Sequence, residues 1–132
     1  VFSLDRLRHE FYDASNYEDA YAKSVKDKGF ESKANARFLE MLMPYENLVV
    51  DNTNLSRRRR RWYIANARHN GYSVIAVVMP APEDLLVKRQ TSRPDKSVPV
   101  SAVRQQYASL QLPMVGEFDQ IFVMDHNLTH RP

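Results

Sequence analysis

Apolar residues recur along this chain in two spacings, and the spacings predict helices alternating with short strands. Steps of three and four residues place Leu7 and Phe11 on one helical face, and Phe30, Ala34 and Phe38 on another. Short apolar or β-branched runs between turn signals predict strands. The predicted helices cover residues 5–12, 17–28, 30–42, 56–69, 82–93 and 101–110, and the predicted strands cover residues 1–4, 47–50, 72–79 and 120–123.

The order of these elements predicts an α/β fold. Strands alternate with helices, and each connection is long enough to cross over a sheet, which favours a parallel sheet flanked by helices. Asn70 and Gly71 stop one helix in the usual left-handed manner, and Pro94 ends another. No repeat, low-complexity tract or linker interrupts the pattern, so residues 1–132 are expected to form one domain.

Composition excludes several other classes. Apolar residues make up 43% of the 132, which is enough for a core, and the longest apolar runs fall far short of the roughly 20 residues of a membrane helix. The absence of cysteine excludes disulfides and cysteine metal sites, and with no signal peptide the expected location is cytoplasmic. The net charge of +3 suits an anionic partner without identifying one. The chain opens on Val1, so it is expected to be a fragment.

Candidate catalytic and binding residues are sought directly after the predicted strands, because ligands of open parallel sheets bind at the carboxyl ends of the strands. Asp5 follows the first strand, and Arg8 lies one helical turn later on nearly the same face. A carboxylate can take a proton from a hydroxyl acceptor, and a guanidinium can fix an anionic acceptor. The alternative is an aspartate favourable to the helix dipole beside an exposed arginine.

A second group, from Asp51 to Asn54, directly follows the predicted strand 47–50. An aspartate there can lie near a magnesium ion and its water shell, and Thr53 and Asn54 can donate to phosphate. The alternative is a turn that caps the next helix.

A third group consists of Arg89 and Arg93, four residues apart and so expected on one helical face before Pro94. Lys88 and Lys96 lie nearby. Arginines delivered by a mobile segment stabilise the charge of a transferring phosphoryl group, so a lid is predicted around residues 82–99. The alternative is a solvated basic face.

Taken in order, these groups resemble the 5′-hydroxyl polynucleotide kinase family of P-loop proteins. The resembling segments are Ser3 to Arg8, Val49 to Leu55, Leu86 to Arg89 with Arg93, Val98 to Pro99, Val103 to Tyr107 and Gly116 to Ile121. The likeness covers nearly the whole chain. It implies an enzyme that uses ATP and Mg²⁺ to phosphorylate the 5′-hydroxyl end of a nucleic acid, as in nucleic-acid repair.

The resemblance also implies a role for each matching residue. Asp5 would be the general base on the acceptor hydroxyl, and Arg89 and Arg93 would be catalytic arginines of the lid. Arg8 would hold the neighbouring phosphate of the acceptor. Two further roles belong to the second group: Asp51 would support the magnesium ion through water, and Thr53 and Asn54 would line the acceptor side.

One part of the family pattern does not occur in these residues. The family carries a Gly-x-x-x-x-Gly-Lys-Ser/Thr loop that cradles the phosphates of the donor, and none of the three glycines lies in such a loop. The expectation is a P-loop NTPase-like domain that lacks its first strand, loop and helix. The kinase would be incomplete without an upstream P-loop. Its sheet would also be poorly stable alone, because the strands next to the missing one would lose a hydrogen-bonding partner.

Two alternatives remain open. A related P-loop kinase could act on another acceptor, such as a modified base, a nucleotide or a metabolite. The arginine run from Arg57 to Arg61, followed by Trp62, could instead belong to a non-catalytic nucleic-acid-binding module. A solvated helix face with Trp62 in the core is the simpler expectation for that run. The histidines have no metal-ligand spacing, so no protein-built metal site is expected.

Overall fold

Helices dominate the computed structural model, which describes residues 1–44, 46–96, 98–125 and 130–131. The helices are α1 Leu4–Phe11, α2 Tyr17–Lys26, α3 Phe30–Met41, α4 Arg57–His69, α5 Glu83–Thr91 and α6 Val100–Ser109, and the strands are β1 Ile75–Val78, β2 Gln120–Met124 and β3 His130–Arg131. The chain forms two compact units, the first Val1–Thr53 with Pro94–Ser97 and the second Asn54–Arg93 with Val98–Pro132. Within the described ranges, no helix is long and apolar enough to cross a membrane.

The first unit packs α1, α2 and α3 around a small apolar core. Phe2 and Phe38 are almost completely buried, with ring centroids 5.3 Å apart in an edge-to-face arrangement. Leu7, Ala20 and Ala34 bury the facing sides of the three helices. The three helices predicted here are therefore confirmed, each to within about two residues at either end.

The two strands predicted in this unit are reduced to one parallel bridge between Phe2 and Val50. The Phe2 amide donates to the carbonyl of Val49 at 2.7 Å, and the Asp51 amide donates to the carbonyl of Phe2 at 2.8 Å. The predicted parallel direction is right, and the predicted length of both strands is wrong. Val49 is 59% exposed, so the segment lacks the two-sided burial that favours a longer parallel strand.

The second unit contains the parallel pair β1 and β2, in register from Ile75 with Gln120 to Val78 with Val123. The connection between them runs through α5 and α6, the predicted crossover. The predicted parallel pairing is thus observed for β1 and β2. The short strand β3 was not predicted, and it pairs antiparallel with β2. The α/β class is confirmed.

β1 is shorter than the predicted strand 72–79 because the end of α4 occupies the preceding residues. The amide of Tyr72 donates to the carbonyl of Ala67 at 3.0 Å, and Gly71 has φ +84°, the left-handed region that glycine adopts without strain. The burial of β1 then alternates, with Ala76 buried and Ile75 and Val77 about half exposed. One face of β1 therefore packs on the core of this unit.

The contact between Tyr12 and Asp27 ties the end of α1 to the turn before α3 and makes the stability of the first unit depend on pH. The Tyr12 hydroxyl donates to Oδ2 of Asp27 at 2.6 Å. Hydrogen bonds from Tyr12, from the Gly29 amide and from Lys33 lower the pKa of Asp27 to about 2. Burial and the adjacent carboxylate raise the pKa of Tyr12 to about 12.

We expect the Tyr12→Phe variant to lose stability between about pH 4 and 10, where both partners contribute. The depressed pKa of Asp27 means that its contribution is present above its ordinary value of 3.8 and is lost as the pH falls through about 2. The raised pKa of Tyr12 means that its contribution is present below 10.0 and is lost as the pH rises through about 12. Melting temperatures across this range, compared between the variant and the wild type, measure both limits. A constant difference from pH 2 to 12 would contradict the assignment.

Candidate acceptor site

Asp5 and Arg8 form the centre of the candidate site in the first unit. Ser3 caps α1 by accepting from the amide of Arg6 at 3.4 Å, which places Asp5 in the first turn. Nη1 of Arg8 donates to Oδ1 of Asp5 at 2.9 Å, and Nε donates to Oγ of Ser24 at 3.0 Å. The side chain of Arg8 is 15% exposed and that of Asp5 is 40% exposed. Asp5 and Arg8 lie on one face of α1, as their spacing predicted, and they also form an ion pair with each other.

Aromatic rings fix the guanidinium of Arg8 further. Its central carbon lies 5.0 Å from the ring centroid of Tyr21 and 5.2 Å from that of Phe30. Cation–π contacts and two hydrogen bonds together hold the guanidinium plane in one orientation. Arg8 is thus a preorganised cation rather than a mobile surface arginine.

Lys96 supplies a second cation that sequence reasoning noted only as a nearby basic residue. Its Nζ lies 2.8 Å from Oδ2 of Asp5 and 4.6 Å from the ring centroid of Tyr17. Asp5 and Lys96 are 91 residues apart, so no local spacing could have paired them. Each carboxylate oxygen of Asp5 therefore contacts a different cation.

The segment of residues 51–54, called the acceptor loop below, begins directly after the bridge between Phe2 and Val50. Phe2 and Val50 are bridged in parallel, so Asp5 and Asp51 follow adjacent extended segments. Oδ1 of Asn52 accepts from the amide of Leu4 at 2.9 Å and joins the loop to the first turn of α1. Asp51 and Thr53 are exposed beside it. Sequence reasoning missed the role of Asn52, although its place directly after a strand and Asp51 was a usable signal.

Asn54 belongs to the second unit, where a buried ion pair holds its backbone. Asn54 has φ +49°, in the left-handed region. Arg60 donates from Nη1 to the carbonyl of Asn54 at 2.7 Å and pairs with both carboxylate oxygens of Glu117 at 2.6 and 3.2 Å. Burial raises the pKa of Glu117, but hydrogen bonds from Arg60 and the Met114 amide outweigh it and lower that pKa below its usual range.

The arginine run on α4 was therefore only partly interpreted correctly. Arg57, Arg58, Arg59 and Arg61 are exposed as expected, but Arg60 is 5% exposed and lies in the interior. Trp62 is half-buried, so its assignment to the core is wrong.

Arg89 and Arg93 also belong to the second unit, and they do not share one helical face. α5 ends at Thr91, before Arg93. The hydroxyls of Thr91 and Ser92 donate to carbonyls one turn back, a pattern of competition with the backbone found at helix ends. Nη1 of Arg93 lies 3.4 Å from Oε1 of Gln90. The predicted lid helix ends earlier than its proline signal indicated.

The structure thus brings together part of the predicted site. Asp5, Arg8, Asp51 and Thr53 lie in the first unit, which also contains Lys96. The other predicted residues, Asn54, Arg89 and Arg93, lie in the second unit. The contacts of Asp5 with Arg8 and Lys96 give the part in the first unit a defined geometry.

A protein-family model described as an AAA domain matches residues 3–113. The chain belongs to this AAA domain family. The family is P-loop NTPase-like and includes kinases, which supports a kinase-like, nucleotide-binding domain. A search of curated proteins found no match, and a search of solved structures found none either.

The described residues of this AAA domain include one carboxylate that could help to hold a magnesium ion, but their glycines form no phosphate cradle. Mg²⁺ is usually held by one or two carboxylates together with waters and substrate phosphates, and the exposed Asp51 fits that sparse arrangement. Within the described part of the chain, no cluster of three or more metal-ligating side chains occurs. Gly29 precedes α3, Gly71 follows α4 and Gly116 precedes β2, so none forms a phosphate cradle between a strand and a helix.

Proposed function

We propose that this protein is a kinase that transfers a phosphoryl group from ATP to a hydroxyl acceptor, the 5′-hydroxyl end of a polynucleotide. The observation that carries the proposal is the carboxylate of Asp5 at a parallel strand end, held between the cations Arg8 and Lys96. Membership of a P-loop NTPase-like family that includes kinases supports phosphoryl transfer as the reaction class.

The charge around Asp5 favours an anionic acceptor over a neutral one. The 5′-terminal nucleotide of a polynucleotide presents a hydroxyl and, a few atoms away, a phosphodiester. The hydroxyl needs a carboxylate, and the phosphodiester needs a cation with fixed donors. Asp5 and Arg8 supply these groups in direct contact, and Lys96 adds a second positive charge. A neutral metabolite would leave this charge unused.

In the proposed reaction, the acceptor hydroxyl displaces Lys96 from Oδ2 of Asp5 and donates its proton to that oxygen. The acceptor oxygen forms a bond to the γ-phosphorus of ATP as the bond to the bridging oxygen breaks, which releases ADP. Arg8 holds the adjacent phosphodiester, and Arg89 and Arg93 offset the charge on the transferring group. Asp51 would help to hold a magnesium ion, which would offset the charge of the ATP phosphates, and Thr53 and Asn54 would line the acceptor side.

An acceptor panel tests this proposal in the full-length protein. Labelled phosphate from ATP should pass to an oligonucleotide with a 5′-hydroxyl and should not pass to the same oligonucleotide carrying a 5′-phosphate. Nucleosides, nucleotides and small hydroxyl metabolites complete the panel. Transfer to a member of that last group alone would replace the polynucleotide with another acceptor, and no transfer to any acceptor would refute the kinase proposal.

A second candidate function is nucleic-acid binding without phosphoryl transfer, and the exposed face of α4 favours it. Arg57, Arg61 and Arg68 line one groove together with Gly116 and Glu117. Among the described residues, no carboxylate lies within ion-pair distance of Arg57 or Arg61. This exposed positive charge suits a phosphodiester backbone.

If the face of α4 binds nucleic acid, the double variant Arg57→Gln/Arg61→Gln should weaken binding of a single-stranded oligonucleotide and flatten its salt dependence. The slope of log K against log salt should fall by about 0.7 for each phosphate that the variant no longer neutralises. Fluorescence anisotropy between about 50 and 200 mM salt, a range typical of such titrations, measures the slope. The matched control is Lys23→Gln/Lys26→Gln on α2, which removes the same charge elsewhere. Equal slopes for the two double variants would exclude a specific role of α4.

A further inference from the structure

We infer that the buried pair of Arg60 and Glu117 positions Asn54, the acceptor-loop residue that lies in the second unit, by holding its backbone carbonyl. The inference rests on the proposed function because it assigns the pair a role in acceptor binding. Neither residue belongs to the acceptor motif, and both lie within the second unit with Asn54. Arg60 and Glu117 are positioning residues, since neither is placed against the reacting atoms.

The guanidinium of Arg60 is fixed in one orientation. It uses Nε and Nη2 for the two oxygens of Glu117, at 2.6 and 3.2 Å. Nη1 is then directed to the carbonyl of Asn54 at 2.7 Å. The side chains of Arg60 and Glu117 are 6% and 14% exposed. Because a bidentate pair in the interior has one orientation, it also fixes the third donor.

Asn54, which receives this bond, has a conformation that needs support. It is the one residue other than glycine with a positive φ among those the structure describes. Asparagine tolerates the left-handed region better than most residues, but the conformation persists only where the surroundings determine it. The bond from Arg60 to the Asn54 carbonyl is a specific determinant of that kind. It holds the backbone of Asn54 in this conformation.

The opposite end of the pair is anchored by the turn before β2. Glu117 also accepts from the amide of Met114 at 3.2 Å, which holds its carboxylate in that turn. Gly116, with φ +92°, allows the turn. The pair therefore connects three segments of one unit: the Asn54 end of the acceptor loop, the first turns of α4 and the turn before β2.

The positioning role at residue 60 depends on the planar guanidinium of arginine and not on its charge alone. Lysine would keep a positive charge against Glu117, but its single ammonium cannot hold both carboxylate oxygens and the Asn54 carbonyl in a fixed plane. The Arg60→Lys variant therefore preserves the charge and removes the orientation. In the sequence, Arg60 lies inside a run of arginines, so nothing local distinguishes it from its exposed neighbours.

A double-mutant cycle in the full-length protein tests the inference. Steady-state phosphorylation of a 5′-hydroxyl oligonucleotide is measured for the wild type, Arg60→Lys, Asn54→Ala and the double variant. We expect Arg60→Lys to raise KM for the oligonucleotide about tenfold, with KM for ATP unchanged. In the Asn54→Ala background, Arg60→Lys should raise KM for the oligonucleotide no further, because its effect passes through Asn54.

Ile64→Val is the matched control, since Ile64 is buried on α4 and does not contact Asn54 in any described bond. If Arg60 acts only by stabilising the unit, Arg60→Lys and Ile64→Val will both lower the active fraction and leave KM unchanged. Additive effects in the cycle would also overturn the inference. If Arg60→Lys does not fold, Glu117→Gln replaces it, because glutamine keeps the shape and removes the carboxylate charge. An inactive wild type would refute the proposed function instead, and oligonucleotide anisotropy on the same variants would then test the positioning role.

Discussion

Replacing Asp5 with asparagine is expected to lower the rate of phosphoryl transfer to a 5′-hydroxyl about 10²- to 10⁴-fold, the range typical of a lost general base. Asparagine keeps the size of aspartate and can still accept a hydrogen bond from Arg8, but it cannot take the proton of the acceptor. The side chain of Asp5 is 40% exposed, so loss of its ion pairs should cost the fold little. The variant should therefore lose rate while it remains fully folded and still binds ATP.

Asp19→Asn is the matched control for this prediction. Asp19 is 38% exposed and pairs with Lys23 on α2, so the control removes a similar carboxylate without contact to Arg8 or Lys96. Single-turnover transfer of labelled phosphate, together with the melting temperature and ATP affinity of each variant, gives the comparison. If Asp5→Asn transfers phosphate as fast as Asp19→Asn, the base has been assigned to the wrong residue.

Replacing Arg60 with alanine is expected to lower the free energy of unfolding by about 3–5 kcal/mol, the typical effect of breaking a buried ion pair. The variant would leave the carboxylate of Glu117 buried with one amide partner and the carbonyl of Asn54 without its donor. Typical domains are stable by about 5–15 kcal/mol, so a loss of this size approaches the total. Urea denaturation followed by the fluorescence of Trp62 measures it directly.

The control for this second prediction is Arg68→Ala on the same helix. Arg68 and Asp119 form an ion pair at 3.3 Å with side chains 40% and 45% exposed, so its loss should cost about 1 kcal/mol or less. Similar urea midpoints for Arg60→Ala and Arg68→Ala would mean that the pair of Arg60 and Glu117 contributes no more than a surface ion pair.

The motifs of the candidate acceptor site could be predicted because each is local. Asp5 and Arg8 lie one helical turn apart. The residues after Val50 are of the types that favour turns, so the loop was predictable from residue type. The parts that could not be predicted depend on distant partners. Lys96 reaches Asp5 across 91 residues, and Asn52 joins the acceptor loop to α1 across 48. No spacing rule connects residues so far apart.

The sequence by itself determined the helices, since apolar spacing and capping residues act within a few turns, as Ser3 before α1 and Ser56 before α4 illustrate. It also determined the α/β class and the order of the candidate motifs. Only the tertiary structure decided how long each strand is, because a strand lasts as long as its neighbours pair with it and cover it. The same reason separates Arg60 from the exposed arginines beside it: a guanidinium can be buried only where a carboxylate and a carbonyl satisfy it, and Glu117 and Asn54 meet it only in the folded chain.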